Sequence, residues 1–113
     1  METILLELLN ERGENGLHGY ALILLLRKKF GVYISSSTIY PELKMIEEKG
    51  LATSIWRIDG SKPRNVYRIS ETGQRLLQQY FVELKMMIPL LNSPIRDLAP
   101  TNFPDPIRRL LHD

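Results

Sequence analysis

The sequence contains no cysteine among its 113 residues. Disulfide bonds and metal sites built on thiolates are therefore excluded, and a reducing compartment is the simplest expectation. The opening segment METILLELL carries acidic side chains where a signal peptide needs lysine or arginine. No apolar run approaches the roughly 18 residues of a membrane span. We therefore expect a cytoplasmic protein that is neither exported nor inserted into a membrane.

Side chains suited to catalysis are also scarce. The two histidines, His18 and His112, lie far apart, and no nucleophile-elbow, dinucleotide-binding or zinc-protease motif is present. The serines at 35–37 have no base beside them, and helix capping explains them better than nucleophilic chemistry does. A metal site on His18 and Glu14 has weak support, because those residue types at that spacing are common in loops. We predict that the protein is not an enzyme and has neither metal nor cofactor.

The composition is that of one small domain. A chain of this length with 43% hydrophobic residues can fill a modest core. The net charge is +2 and the isoelectric point is near 9.0, values compatible with nucleic-acid binding and with many other functions. The distribution of charge along the chain is therefore more informative than its total.

Three segments place apolar residues at helical spacing. The first spans about residues 2–12 and the second about 18–29, and each is followed by a glycine that can end it. The third is SSSTIYPELKMIEEKGL at 35–51. We predict one helix in each segment.

The start of the third helix is unusual. Ser35, Ser36 or Ser37 is a suitable N-cap, because a hydroxyl there can accept a hydrogen bond from the first turn. Pro41 then falls late: it would be the fourth helical residue after a cap at Ser37 and the third after a cap at Thr38. Either position indicates an irregular or tight first turn.

The side of this first turn that faces away from the apolar stripe carries small hydroxyls, an aromatic ring and a cation. These residues are Ser36, Ser37, Thr38, Tyr40, Pro41 and Lys44. No carboxylate occurs before Glu42. A helix that enters the DNA major groove needs an N-terminal turn without negative charge and with short donors for phosphates and base edges. The pattern therefore predicts DNA contacts by these six residues.

A β-hairpin should follow. Segments 52–58 and 65–69 are rich in β-branched and aromatic residues, and Asp59 with Gly60 is a strong turn signal. The predicted loop DGSKPR would place Lys62 and Arg64 at its tip, against a phosphate backbone or in a minor groove. The alternative is an ordinary solvated tip. Three helices and this hairpin predict a mainly α protein with a winged helix-turn-helix fold.

A long C-terminal helix is predicted from about residue 71, and Pro89 should kink or end it near 88. Its apolar stripe is wider than one small domain can cover, so it should form the interface of a homodimer. The stripe consists of Leu77, Tyr80, Phe81, Leu84, Met87, Ile88 and Leu91. Packing against the first helix of the same chain is the alternative, and we expect both contacts. The predicted organisation is thus a DNA-binding domain at 1–70, a dimerisation helix at 71–92 and a proline-rich tail of unknown role at 93–113.

Three motifs resemble one known family. They are HGYALILLLRKKFG at 18–31, SSSTIYPELKMIEEKGLATSIW at 35–56 and GSKPRNVYRISETGQRLL at 60–77. They are similar to the PadR-like transcriptional regulators over about residues 1–92. In that family a proline stands at the same place in the third helix, so the resemblance implies that Pro41 is a family feature.

The resemblance implies a homodimeric, sequence-specific regulator that binds double-stranded DNA and represses transcription. The third helix would lie in the major groove and the basic wing on the backbone or in the minor groove. The DNA contacts it implies are Thr38, Tyr40, Lys44, Lys62 and Arg64. Met45 and Asn65 stand where basic residues are usual, which removes two positive charges.

Two alternatives remain open. A winged helix can instead mediate contact between proteins, in which case the basic wing would be incidental. Trp56, Tyr80 and Phe81 would line a small-molecule effector pocket between subunits, or they would be ordinary core residues.

Overall fold

A computed structural model of the chain describes residues 1–91. The predicted tail at 93–113 lies outside the described residues, as does residue 92. The elements in chain order are α1 (Glu2–Arg12), a short 3-10 helix (Gly13–Asn15), β1 (Leu17–His18), α2 (Gly19–Phe30), α3 (Ser36–Glu48), β2 (Ala52–Asp59), β3 (Lys62–Ile69) and α4 (Glu71–Leu91). The predicted mainly α fold with a small β-hairpin is confirmed, and a third short strand joins the hairpin.

The second helix begins one residue later than predicted, because His18 is its N-cap. The His18 Nδ1 atom accepts a hydrogen bond from the Ala21 backbone N–H at 3.1 Å. A cap of this kind satisfies one of the donors that the first turn of a helix leaves free. At the other end Gly31 adopts φ 67°, and its N–H donates to the Arg27 carbonyl. The helix therefore ends at a left-handed residue, as helices commonly do.

The third helix begins at Ser36, and Ser35 is its N-cap. The predicted N-cap at one of the three serines is therefore confirmed. This cap lies before Ser37 and Thr38, the two caps from which the position of Pro41 was predicted. Counted from Ser36, Pro41 is the sixth helical residue. The Ser35 hydroxyl pairs with Ser37 Oγ at 2.8 Å and makes no bond to the backbone, so the predicted capping hydrogen bond is wrong. The first turn is nonetheless tight, because the Thr38 N–H donates to the Ser35 carbonyl three residues back, at 3.1 Å.

The apolar stripe of α3 lies at the centre of the core. Ile39, Leu43 and Ile46 are each 0% exposed, as the spacing predicts. The helix ends at Glu48, Gly50 follows with a φ of 75°, and the Leu51 N–H donates to the Ile46 carbonyl at 2.9 Å. This Schellman motif turns Leu51 into the core, where it is 5% exposed.

The sheet has three strands in the order β1-β3-β2. The strand β1 was not predicted, because two residues are too few to show a period. It places Leu17 opposite Tyr67 of β3. Gly16 makes the approach possible: its φ is 68°, and a Cβ there would lie 2.6 Å from the Tyr67 carbonyl oxygen. The base of the wing is thus tied to the segment before α2.

The hairpin is longer and its loop shorter than predicted. Strands β2 and β3 pair as far as a two-residue loop, Gly60–Ser61. Gly60 has a φ of 66°, the positive value that such tight loops need. The predicted six-residue tip is therefore wrong. Lys62 is the first residue of β3, and Arg64 lies inside the strand, opposite Arg57.

The last helix starts after Ser70, whose hydroxyl accepts a hydrogen bond from the Gly73 N–H at 3.0 Å. It continues through Pro89 to Leu91, so Pro89 does not end the helix near residue 88, and a kink there stays a prediction. Proline removes one N–H donor, and within the last turn this costs a single hydrogen bond.

None of the helices between residues 1 and 91 has the length and apolar character needed to cross a membrane.

Helices α1 and α4 pack on each other. This is the predicted contact of α4 with the first helix of its own chain. Leu77 is 2% exposed and belongs to the core. The Tyr80 hydroxyl donates to Glu2 Oε1 at 3.3 Å, while Lys49 Nζ lies 2.8 Å from Glu2 Oε2. Glu2 therefore links α1 both to α4 and to the end of α3.

Gly73 fixes how closely α4 approaches the body, which yields a test of the fold. A Cβ at this position would overlap the Leu51 carbonyl, which is backbone and cannot rotate away. We expect Gly73→Ala to destabilise the protein by about 1–3 kcal/mol. The melting temperature should fall by roughly 4–8 °C per kcal/mol. Thr72→Ala, at the exposed neighbouring position, is the control and should melt near the parent. Equal melting of the two variants would contradict this close packing.

Candidate nucleic-acid interface

The N-terminal half of α3 presents all six predicted contact residues to solvent. They are Ser36, Ser37, Thr38, Tyr40, Pro41 and Lys44. The first turn contains no acidic residue, and Glu42 is the first carboxylate of the helix. The free N–H groups at a helix N-terminus carry partial positive charge, which favours a nearby anion. This turn therefore combines hydrogen-bond donors with a favourable potential for phosphate.

Tyr40 is both packed and exposed. Its ring lies over the backbone of Gly19, where a Cβ would be 2.6 Å from Tyr40 Cε1 and 2.9 Å from the hydroxyl oxygen. The side chain still has 47% of its surface accessible. Gly19 has no left-handed φ, so its importance is the space it leaves for the ring. Residue spacing does not predict this contact between α2 and α3, although both residues belong to the family motifs at 18–31 and 35–56.

One hydrogen bond joins the wing to the second half of α3, and another lies within the wing. The Ser54 hydroxyl donates to Glu47 Oε2 at 2.6 Å, and Asn65 Nδ2 donates to the Tyr67 hydroxyl at 3.3 Å. Burial raises the pKa of the Tyr67 phenol above its usual value, and the Glu47 carboxylate raises it further. The phenol therefore stays protonated at neutral pH. The hydrogen bond from Ser54 to Glu47 thus ties β2 of the wing to α3.

One face of the wing is cationic. Residues that pair directly across an antiparallel sheet lie on the same face, and so do alternate residues along a strand. The cationic face consists of Arg57, Lys62, Arg64 and Arg68. Arg57 lies opposite Arg64, so two of these cations are neighbours on the same face. Arg57 was not among the predicted contacts, because its partner depends on the register that the short loop imposes.

The predicted dimerisation residues divide into two groups. Leu77 is buried in its own chain, and Phe81 is the last α4 residue in the described part of the chain that packs on the core. Beyond it Leu84 and Ile88 are half-buried and Met87 is 50% exposed. We therefore leave Leu77 out of the proposed interface. The side chain of Leu91 lies outside the described residues.

The three residues predicted to line an effector pocket do not all lie on the same element. Trp56 lies on the wing and is 68% exposed, whereas Tyr80 and Phe81 lie on α4 and are half-buried.

His18 caps α2, and within residues 1–91 no group of three or more acidic or histidine side chains could hold a metal ion.

Known proteins share this architecture. The model of the transcriptional regulator PadR-like family matches residues 5–79. Transcriptional regulator Rv3488 of Mycobacterium tuberculosis is 32% identical over 77 residues, which are 68% of this chain and 71% of that protein.

Solved structures agree with this assignment. A PadR family transcriptional regulator from Eggerthella lenta has a TM-score of 0.66 and 30% identity, covering 82% of this chain and 81% of that one. The structure of Bacillus subtilis PadR in complex with operator DNA has a TM-score of 0.62 and 23% identity, covering 81% of this chain and 58% of that one. The prediction that the chain is not an enzyme is confirmed by the family assignment. The family match, the curated relative and the shared winged-helix fold together show that this chain belongs to the PadR-like family of transcriptional regulators.

Proposed function

We propose that the protein binds double-stranded DNA sequence-specifically, as a homodimer with α3 of each subunit in the major groove. The observation that carries the proposal is the first turn of α3. The apolar stripe of α3 is fully buried, while hydroxyls, a tyrosine and a lysine in its N-terminal half are exposed and the first turn has no carboxylate. A helix held in this way can expose its N-terminal residues to base edges without losing its place in the core.

Within that turn we assign two kinds of contact. Ser36 and Ser37 lie at the first two helical positions and donate to phosphate oxygens, which fixes the register on the duplex. Thr38, Tyr40 and Lys44 lie further along the exposed side and contact base edges. Tyr40 is the best placed of these, because its ring is seated on Gly19 and does not need to be ordered on binding.

The cationic face supplies affinity that does not depend on sequence. Arg57, Lys62 and Arg64 neutralise phosphates along the backbone or at the edge of the minor groove. Bacillus subtilis PadR, which shares this fold, was solved in complex with operator DNA, and this supports double-stranded DNA as the ligand.

The dimer is proposed from the last ten residues of α4. They extend about 15 Å beyond Phe81 at 1.5 Å per residue. Leu84, Met87 and Ile88 continue the stripe that packs on α1 near the start of the helix, and a second copy would cover them. Two subunits related by a twofold axis would place their α3 helices in major grooves about one helical turn apart. We keep repression in the cytoplasm as the expected role, because a dimer on a promoter occupies grooves that other proteins need.

The wing provides the first test of the proposal. Random-sequence duplex should bind the parent at low salt, and binding should weaken steeply as salt rises. Replacing Lys62 and Arg64 by Ala should lower the slope of log K against log salt by about 0.9 per lost phosphate contact per chain. The measurement is fluorescence anisotropy of a labelled duplex at several salt concentrations.

The control for this test is the double variant Lys28→Ala with Lys85→Ala, which removes the same charge from exposed positions on α2 and α4. Its slope should stay near that of the parent. If the parent itself does not bind duplex at low salt, the DNA-binding proposal fails and the protein-interaction alternative replaces it.

The dimer is tested by Leu84→Glu. A carboxylate at this half-buried position would be placed without a partner in the interface, so we expect monomers, at a cost of several kcal/mol. Val82→Glu is the matched control: two residues earlier, it lies nearly on the opposite side of α4, where it is 56% exposed. Sedimentation velocity distinguishes the two. A Leu84→Glu variant that sediments as the parent dimer does would refute this interface.

A further inference from the structure

A polar cleft lies at the base of the wing, where three elements meet, and we call it the basal cleft. Its volume is about 450 Å³, which is large enough for a small molecule. The short 3-10 helix forms one wall, the body end of the β2–β3 hairpin a second and the start of α4 a third. The polar side chains that line the cleft are Glu14, Thr53, Arg68, Ser70, Glu71 and Gln74. None of the proposed DNA contacts or dimer contacts belongs to it.

The basal cleft contains one guanidinium and one carboxylate whose charges are not compensated. Within residues 1–91, neither Arg68 nor Glu14 makes a salt bridge or a side-chain hydrogen bond. The two groups line the same cleft but lie too far apart to pair with each other. Glu71, the other charged residue of the lining, already pairs with Arg75 one turn further along α4. The cleft therefore presents one positive and one negative group to a ligand.

Arg68 is held in place by the backbone beside it. A Cβ at Gly16 would lie 3.1 Å from Arg68 Cγ, so the stem of the side chain runs alongside Gly16. Gly16 directly follows the 3-10 helix that carries Glu14. Of the cationic face, Arg68 is the member nearest the body, opposite Thr53, and the proposed phosphate contacts do not include it. A stem that is already ordered loses less conformational freedom when its guanidinium binds a ligand.

The two charged groups restrict the chemistry of the ligand. A guanidinium binds a carboxylate through two parallel hydrogen bonds, and a carboxylate such as that of Glu14 accepts hydrogen bonds from an ammonium group. A ligand with only one of these charges would leave either Arg68 or Glu14 without a partner. A molecule that carries both an ammonium and a carboxylate would satisfy the two together. The Thr53 hydroxyl and the Gln74 amide offer further donors and acceptors for its polar atoms.

We propose that the basal cleft binds a small zwitterion, a free α-amino acid or a short peptide, with its carboxylate on Arg68 and its ammonium group on Glu14. Such a ligand contacts the wing and the start of α4 at the same time. It would give this regulator an input from a metabolite at a place separate from the proposed DNA contacts. Binding at the cleft does not require that the protein also binds DNA.

Nuclear magnetic resonance of isotope-labelled protein detects such a ligand directly. The probes are a pool of the common L-amino acids and a pool of glycine-containing dipeptides. We expect at least one pool to shift the backbone amide of Glu14 and the side-chain amide of Gln74 in a saturable manner. The pool that binds more tightly identifies the source as free amino acid or peptide. If neither pool shifts the amides that line the cleft, the proposal is overturned.

Blocking one charge of the ligand at a time separates a zwitterion site from a simple ion site. The N-acetylated form of the tightest-binding compound lacks the ammonium group, and its C-terminal amide lacks the carboxylate. Each should bind at least about tenfold more weakly, because each loses a charge-assisted contact. Undiminished binding of the acetylated form would show an anion site, and undiminished binding of the amide would show a cation site. Either result would overturn the proposal.

Matched variants assign the two contacts. Arg68→Gln and Glu14→Gln should each weaken ligand binding by at least about tenfold, and Arg68→Lys, which keeps the charge but loses the planar fork, should weaken it less. Without ligand the variants should melt near the parent, because neither side chain has a partner to lose. Lys28→Gln and Glu48→Gln, at exposed positions outside the cleft, are the controls and should bind the ligand as the parent does. Ligand binding at the parent's affinity by Arg68→Gln or by Glu14→Gln would contradict the assignment.

Duplex binding at low salt, measured on the same protein, keeps this proposal separate from the proposed function. Duplex binding by a parent protein that binds neither pool would overturn the ligand site and leave the proposed function standing. Ligand binding by a parent protein that binds no duplex would overturn the proposed function and leave the ligand site standing.

Discussion

The burial of one stripe on α3 is the interaction on which the rest of the structure depends. Ile39, Leu43 and Ile46 have no exposed surface, and each such side chain contributes about 1.5–3 kcal/mol when fully buried. Because these residues fix the rotation of the helix about its axis, the remaining sides of α3 are fixed as well. The exposed side is the one that bears Tyr40 and Lys44. The same packing that stabilises the fold therefore determines which residues meet a ligand.

Close backbone approaches then position the other elements around α3. Gly19 leaves space for the Tyr40 ring, Gly16 lets β1 reach β3, and Gly73 brings α4 against Leu51. A side chain at any of these positions would shift a contact surface. In a chain this small, the helix proposed to contact DNA, the wing and the proposed dimer helix share one core. A displacement in one of them is therefore expected to be felt in the others.

The regular spacing of apolar residues predicted the helices that are long enough to repeat it over several turns. The bounds of α1 and the buried stripe of α3 were correct, because apolar residues recur there over several turns. Two residues of β1 carry no such signal. The hairpin loop was predicted too long, since the pairing of Lys62 with Asp59 depends on one positive φ at Gly60. Contacts between distant segments, such as the ring of Tyr40 over Gly19, depend on tertiary packing, which the sequence does not state directly.

The central claim is that α3 contacts base edges through its first turn. It is tested most directly by comparing the parent with Tyr40→Phe on two duplexes: a preferred site selected from a random pool, and a random sequence. The ring on Gly19 is kept and only the hydroxyl is lost, so folding should be unchanged. We expect binding to weaken by about 1–3 kcal/mol at the preferred site and hardly at all on random DNA. Equal binding by both proteins at both duplexes would show that the Tyr40 hydroxyl contacts no base and would contradict the claim at that residue.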